Sequence, residues 1–170
     1  MMRRGFQNKK GLSAIFTALV LLVLTGCPYE SRVALGDSKD EKIDTSLIGE
    51  WYSVDNKTDT MNINIHNFNS TEYLIEYNET RLSSKKPTTL LRGFISKIGN
   101  YRILNINEIE VDSKYTFFKY DLDGDKLKIA YVSDNFNKTQ FDTESKIYKY
   151  FEENIDKKDF FEDVVIFKKK

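Results

Sequence analysis

The fold is decided by residues 90–109, which read LLRGFISKIGNYRILNINEI. Two largely apolar segments, 90–98 and 101–109, flank the dipeptide Gly99-Asn100. A two-residue junction of this composition suits the positive φ angles of a tight β-hairpin. The stretch therefore predicts two antiparallel strands paired around residues 99–100.

A second hairpin is predicted immediately downstream. Residues 115–122 and 126–132 alternate apolar and polar side chains on either side of Asp123-Gly124-Asp125. Side chains two apart share a face of a strand, and this spacing predicts the inward-facing rows. The two rows are Phe118, Tyr120 and Leu122, and Leu127, Ile129 and Tyr131.

The same alternation recurs towards both ends of the chain and brings the number of predicted strands to eight. Upstream, it covers residues 47–54, a segment with Met61, Ile63 and Ile65 on one face, and a segment with Tyr73, Ile75 and Tyr77 on one face. Downstream, residues 163–168 return to strand character. Consecutive hairpins favour an antiparallel meander, and closing it removes exposed strand edges. We predict a mainly β fold, an eight-stranded up-and-down barrel, with a two-sheet sandwich as the alternative.

One helix is predicted before the last strand. From Thr143 to Asn154 the apolar residues Ile147, Tyr150 and Phe151, followed by Ile155, recur at helical spacing. Thr143 is suited to cap the first turn, and Glu144 suits the positive end of the helix dipole.

The first 26 residues have the layout of an export signal peptide. Arg3, Arg4, Lys9 and Lys10 precede an apolar block, residues 14–24, and no acidic residue is present. This block is shorter than the roughly 20 residues that a permanent membrane helix needs. We therefore expect the segment to be cleaved.

The sequence Leu24-Thr25-Gly26-Cys27 resembles the lipobox of bacterial lipoproteins. The resemblance implies cleavage before Cys27 and a diacylglyceryl thioether on its sulfur, with a further acyl chain, such as palmitate, on the new amino terminus. Two or three chains, at about 0.8 kcal/mol per buried CH₂, anchor stably where one is marginal. The alternative is an ordinary cysteine after a standard signal; it is the only cysteine, so no internal disulfide forms.

Residues 27–46 are polar and charged around Gly36-Asp37-Ser38-Lys39, and they predict a lipidated, flexible tether before a domain spanning residues 47–170. The signal carries four of the 26 basic residues and none of the 26 acidic ones, so residues 27–170 have a formal charge of about −4. Nucleic acid is therefore not an expected partner. The expected location of the protein is the bacterial cell envelope. Where a cell has two membranes, we expect it on the outer membrane, facing the periplasm.

Gly49-Glu50-Trp51, on the first predicted strand, resembles the Gly-x-Trp motif of lipocalin-like proteins, the calycin group. The resemblance implies an up-and-down barrel in which Trp51 packs across the closed end and Gly49 lets the chain pass close by. In that family a late arginine stacks on the tryptophan, and here Arg92, Arg102 or a terminal lysine are its candidates.

Catalytic chemistry is not predicted. His66 is the only histidine and lies opposite the apolar face of its strand, as a surface residue would. The acidic run Asp121–Asp125 departs from a calcium loop because Gly is fourth and Val132 is twelfth, so it is interpreted as a hairpin turn. We expect no enzyme activity, no cofactor and no metal site.

Two functional classes are open. In the first, a hollow barrel binds a small apolar or amphipathic ligand. In the second, aromatic residues fill the interior and the surface binds an envelope protein as an interaction or inhibitor module. The aromatic residues that would fill it are Tyr73, Tyr77, Phe118, Tyr120 and Tyr131. The presence or absence of a cavity of a few hundred cubic ångströms separates them.

Overall fold

The computed structural model describes residues 29–54, 59–81, 84–109, 114–133 and 140–170. They form ten strands, one 3₁₀ turn (Thr45–Leu47) and one helix, α1 (Glu144–Asn154). The strands are β1 (Glu30–Ser31), β2 (Gly49–Ser53), β3 (Asp59–Asn67), β4 (Glu72–Arg81), β5 (Ser84–Lys85), β6 (Thr89–Ile98), β7 (Tyr101–Glu108), β8 (Tyr115–Asp123), β9 (Lys126–Val132) and β10 (Phe161–Lys169).

Eight of these strands form a closed barrel. Their order is β2-β3-β4-β6-β7-β8-β9-β10, each strand is antiparallel to the next, and β10 pairs back with β2. The closing register places Lys169 opposite Trp51 and Phe167 opposite Ser53. The predicted up-and-down barrel is confirmed and the two-sheet alternative is wrong.

Both predicted hairpins are confirmed. Ile98 pairs with Tyr101 across Gly99-Asn100, and Asp123 pairs with Lys126 across Gly124-Asp125. Gly99 has φ 55° and Gly124 has φ 60°, in the left-handed region that a residue with a Cβ enters at a cost. These turns, together with the β3–β4 turn, define one end of the barrel, called the closed end below.

The apolar residues form two clusters, one inside the barrel and one on its outer wall. The predicted inward rows of β8 and β9 belong to the inner cluster or line the barrel interior. The outer cluster lies between the wall and α1, where Phe151 packs edge-on against Phe117 at 5.3 Å between ring centroids. The predicted helix before the last strand is confirmed, although the Thr143 side chain makes no capping hydrogen bond. Its backbone carbonyl accepts from Ile147 N–H instead (3.3 Å).

Residues 29–46 lie on the barrel, which differs from the flexible tether expected from their polarity. Tyr29 N–H donates to the Val132 carbonyl (3.2 Å), and β1 pairs with β8. Leu35 is fully buried, and its N–H donates to Asn105 Oδ1 at 2.7 Å. A few apolar residues are enough to hold this polar segment on the barrel, because they cover outer-wall surface that α1 leaves open.

The chain contains two further short strands that the periodicity did not reveal. β1 and β5 have two residues each; β1 pairs with the first residues of β8, and β5 pairs with the last residues of β4. A two-residue strand carries no alternation, so only the partner strand reveals it. Within the described ranges, no helix combines the length and apolar character needed to cross a membrane.

Candidate functional site

The barrel interior encloses a cavity of about 560 Å³, whose charged lining residues lie at the end opposite the closed end. Its walls are mainly apolar and come from seven of the eight barrel strands. Every second residue along a barrel strand faces inward, and these residues form the walls. The apolar and aromatic lining residues are Met61, Ile63, Ile65, Ile75, Tyr77, Leu91, Leu104, Ile106, Phe118, Leu127, Ile129, Tyr131, Val165 and Phe167.

The inward aromatic residues divide into those that line the cavity and those that do not. Tyr77, Phe118 and Tyr131 line the cavity wall. Tyr73 and Tyr120 lie in the inner cluster near the closed end and do not line the cavity. The five aromatic residues considered for a filled interior therefore leave this cavity unfilled.

The mouth of the cavity is defined by three charged residues that also line it: Glu30, Glu108 and Lys114. Lys114 Nζ lies 2.8 Å from Glu30 Oε2, and both side chains are about half exposed. Glu30 reaches this position because β1 pairs with β8 at the start of that strand. A ligand with an apolar body and a polar end could pack its body against the apolar cavity walls and hydrogen-bond its polar end to the charged residues at the mouth.

Trp51 lies at the closed end, where it is almost completely buried. Its Nε1–H donates to the Leu47 carbonyl in the 3₁₀ turn (2.8 Å). Lys169 Nζ lies 5.1 Å from the centre of the indole ring and donates to the Ser46 carbonyl (3.1 Å). A terminal lysine thus occupies the position considered for the family's arginine.

Gly49 permits this arrangement through its backbone and its lack of a side chain. Its φ is 132°, which L-residues rarely adopt, and a Cβ there would lie 2.9 Å from Lys169 Cε. Gly49 therefore lets the last strand and the lysine approach the tryptophan.

A polar network next to Trp51 completes the closed end. Tyr73 Oη accepts from Asp44 N–H (2.5 Å), and Arg102 Nη1 donates to Asp44 Oδ2 (2.6 Å). Burial opposes ionisation of Asp44, but hydrogen bonds from Ser46 and the charge of Arg102 outweigh it and lower the pKa of its carboxyl. Burial also raises the pKa of the Tyr120 hydroxyl to about 12. Because its charged groups satisfy one another, this network is interpreted as a structural seal.

The other residues singled out from the sequence lie away from the cavity. His66 is on the outer wall, 3.5 Å from Glu76 Oε1, and the acidic run Asp121–Asp125 forms the second hairpin and its flank. The lipobox residues Leu24, Thr25, Gly26 and Cys27 lie outside the described residues. In the part of the chain that the structure covers, no group of three or more His, Cys, Asp or Glu side chains could hold a metal ion.

Sequence reasoning did not identify the mouth residues Glu30, Glu108 and Lys114. Charged residues near loops are common, and nothing local distinguishes these three. Their position distinguishes them: Glu30 in β1, Glu108 at the end of β7 and Lys114 just before β8 come together when the barrel closes. Comparison of the chain with protein-family models, with curated proteins and with solved structures gives no match.

Proposed function

We propose that this protein is an envelope lipoprotein, anchored through Cys27, whose barrel binds a small apolar or amphipathic ligand. The observation that carries the proposal is the apolar cavity of about 560 Å³. Small-molecule sites in proteins have volumes of roughly 300–1,000 Å³ and combine apolar walls with a few polar groups. The mouth residues supply those polar groups here, so an apolar tail inside and a polar head at the mouth is the arrangement that fits.

A lipocalin-like assignment is part of this proposal. It is supported by the up-and-down barrel, by Gly49 and Trp51 on its first strand, and by the cation over the indole ring. The helix before the last strand, instead of after it, departs from the usual family arrangement. The ligand class rests on the cavity itself and not on this likeness.

The lipid anchor rests on the lipobox, and the location follows from it. Leu24, Thr25, Gly26 and Cys27 match the pattern at every position, and the preceding residues have the layout of an export signal. In a cell with two membranes, we place the protein on the outer membrane, facing the periplasm. An interaction or inhibitor module is the weaker candidate, since that hypothesis goes with a barrel interior filled by aromatic side chains.

Ligand binding is tested with two neighbouring residues on opposite faces of β6. Leu91 lines the cavity, whereas Leu90 is exposed on the outer wall. In the Cys27→Ser chain, Leu91→Trp should weaken binding of the apolar dye N-phenyl-1-naphthylamine about tenfold or more, because the indole takes up cavity volume. The matched variant Leu90→Trp should bind within about twofold of the parent, since it leaves the cavity unchanged.

Dye fluorescence gives the affinity, and displacement by palmitate tests an amphipathic competitor. Equal dye affinity in the two variants would remove the cavity as the binding site. Thermal melts by circular dichroism verify folding, and Ile129→Phe, a smaller filling change at another cavity residue, replaces Leu91→Trp if that variant unfolds.

A further inference from the structure

Exposed apolar side chains flank the barrel mouth on two opposite sides. Within the described residues, six large hydrophobic side chains are exposed. Four of them lie towards the open end, which is the end of the barrel opposite the closed end: Val54, Leu90, Ile109 and Val164. Ile109 N–H donates to the Leu90 carbonyl (3.1 Å), which places these two together at the ends of β7 and β6. Val54 N–H donates to the Ile166 carbonyl (2.9 Å), next to Val164. β6 and β7 lie across the barrel from β2 and β10 in the strand order.

The described part of the chain begins at Tyr29, at this same end of the barrel. Tyr29 is bonded to Val132 at the end of β9, and Glu30 lines the mouth. Two residues span at most about 7 Å even when fully extended. Since Cys27 precedes Tyr29 by two residues in the sequence, a lipid on its sulfur would tether the barrel to the bilayer by this end.

Ion pairs offset charged side chains near the barrel mouth. At the open end, Lys114 pairs with Glu30 and Lys86 Nζ pairs with Glu79 Oε2 at 2.7 Å, which offsets these charges. Exposed apolar residues beside paired charges suit a membrane interface.

We infer that the barrel mouth faces the bilayer and that Val54, Leu90, Ile109 and Val164, the apolar rim, contact its surface. The inference rests on the proposed anchor at Cys27. It also narrows the ligand to an amphiphile of the membrane, because such a molecule would move between bilayer and cavity without crossing bulk water. Its polar head would lie near Glu30 and Lys114 at the level of the lipid headgroups.

Two introduced cysteines test the orientation. Val54 on the rim and Phe68 near the closed end are both 54% exposed, which makes them a matched pair. Cys27 is the only natural cysteine, so in the lipidated full chain an introduced one is the single free thiol. Val54→Cys and Phe68→Cys are labelled with a maleimide fluorophore and reconstituted in phosphatidylcholine–phosphatidylglycerol vesicles containing nitroxide-labelled lipid.

The expected result is strong quenching of the label at Val54→Cys and background quenching at Phe68→Cys, with Ile109→Cys as a second rim position. Equal quenching at both ends, or stronger quenching at Phe68→Cys, would overturn the inference. Labelling of the unsubstituted chain would reveal a free Cys27 thiol and would refute the proposed lipid anchor. Dye binding without rim quenching refutes the orientation alone, and rim quenching without dye binding refutes the proposed ligand binding alone.

Discussion

At the scale of single residues, the closed end depends on contacts between the first and last barrel strands. Trp51 is held from one side by its hydrogen bond to Leu47 and from the other by Lys169, which also bonds to Ser46. The lysine therefore joins the 3₁₀ turn, the indole and the last strand at one point. Each partner limits the movement of the others, so the seal acts as a unit.

Replacing Trp51 with Ala should destabilise the domain by about 3–5 kcal/mol, because it leaves a cavity and lost contacts in a packed region. Tyr52→Ala is the matched control, since Tyr52 is the next residue on β2 and lies exposed on the outer wall. Its free energy of unfolding should change by roughly 0.5 kcal/mol or less. Urea unfolding followed by circular dichroism measures both, and similar midpoints would exclude a sealing role for Trp51.

Replacing Asp44 with Asn should lower stability at neutral pH by about 1–2 kcal/mol, because Arg102 and Ser46 then face a neutral acceptor. The pKa of Asp44 is lower in the folded state than its ordinary value of 3.8. Its contribution is therefore fully present above that value and is lost as the pH falls through the folded-state pKa.

The free-energy difference between wild type and Asp44→Asn should therefore be constant near neutral pH and shrink below about pH 4. Urea unfolding at a series of pH values measures this difference. Asp121→Asn, which alters an exposed carboxylate near the same end, serves as the control. A difference that grows towards acid pH would contradict the assigned network.

At the scale of elements, the barrel wall needs cover on its outside as well as packing within. Helix α1 and residues 29–35 share this task over the outward faces of β6, β7 and β8. Asn105 and Ser96, buried beneath the N-terminal segment, bond to its backbone at Leu35. The segment is thus part of the folded domain, and its polar composition conceals a few residues that anchor it.

Replacing Leu35 with Ala should destabilise the domain by about 2–5 kcal/mol, the usual cost of truncating a fully buried leucine. A flexible tether would show no change. Arg32→Ala, in an exposed position of the same segment, should stay within roughly 0.5 kcal/mol of wild type. Thermal or urea melts separate the two results, and an unchanged midpoint for Leu35→Ala would restore the tether interpretation.

At the scale of the whole molecule, the barrel combines a packed closed end with an interior cavity. The closed end contains Trp51, Tyr73 and Tyr120 with their polar network, and the cavity opens at the mouth residues. Stability and binding are therefore assigned to different parts of one interior. For this reason the Leu91 and Val54 experiments should leave the closed end intact, whereas the Trp51 and Asp44 substitutions should act on stability.

The sequence by itself determined the eight barrel strands, both hairpins, the single helix and the inward rows. These features are local: alternation shows which side chains share a face, and Gly99 and Gly124 mark where the chain reverses. The meander order then follows, because consecutive hairpins leave few other topologies. The resemblance at Gly49 and Trp51 likewise predicted a tryptophan packed across one end of the barrel.

Only the tertiary structure decided the cavity, its mouth and the packing of residues 29–46. Leu35 bonds to a residue 70 positions away, and Lys169 to one 123 positions away. Such pairs depend on the tilt and closure of the whole barrel, which no local pattern encodes. Whether inward aromatic residues fill a barrel or line it depends on the same geometry, so composition could not distinguish a plug from a cavity.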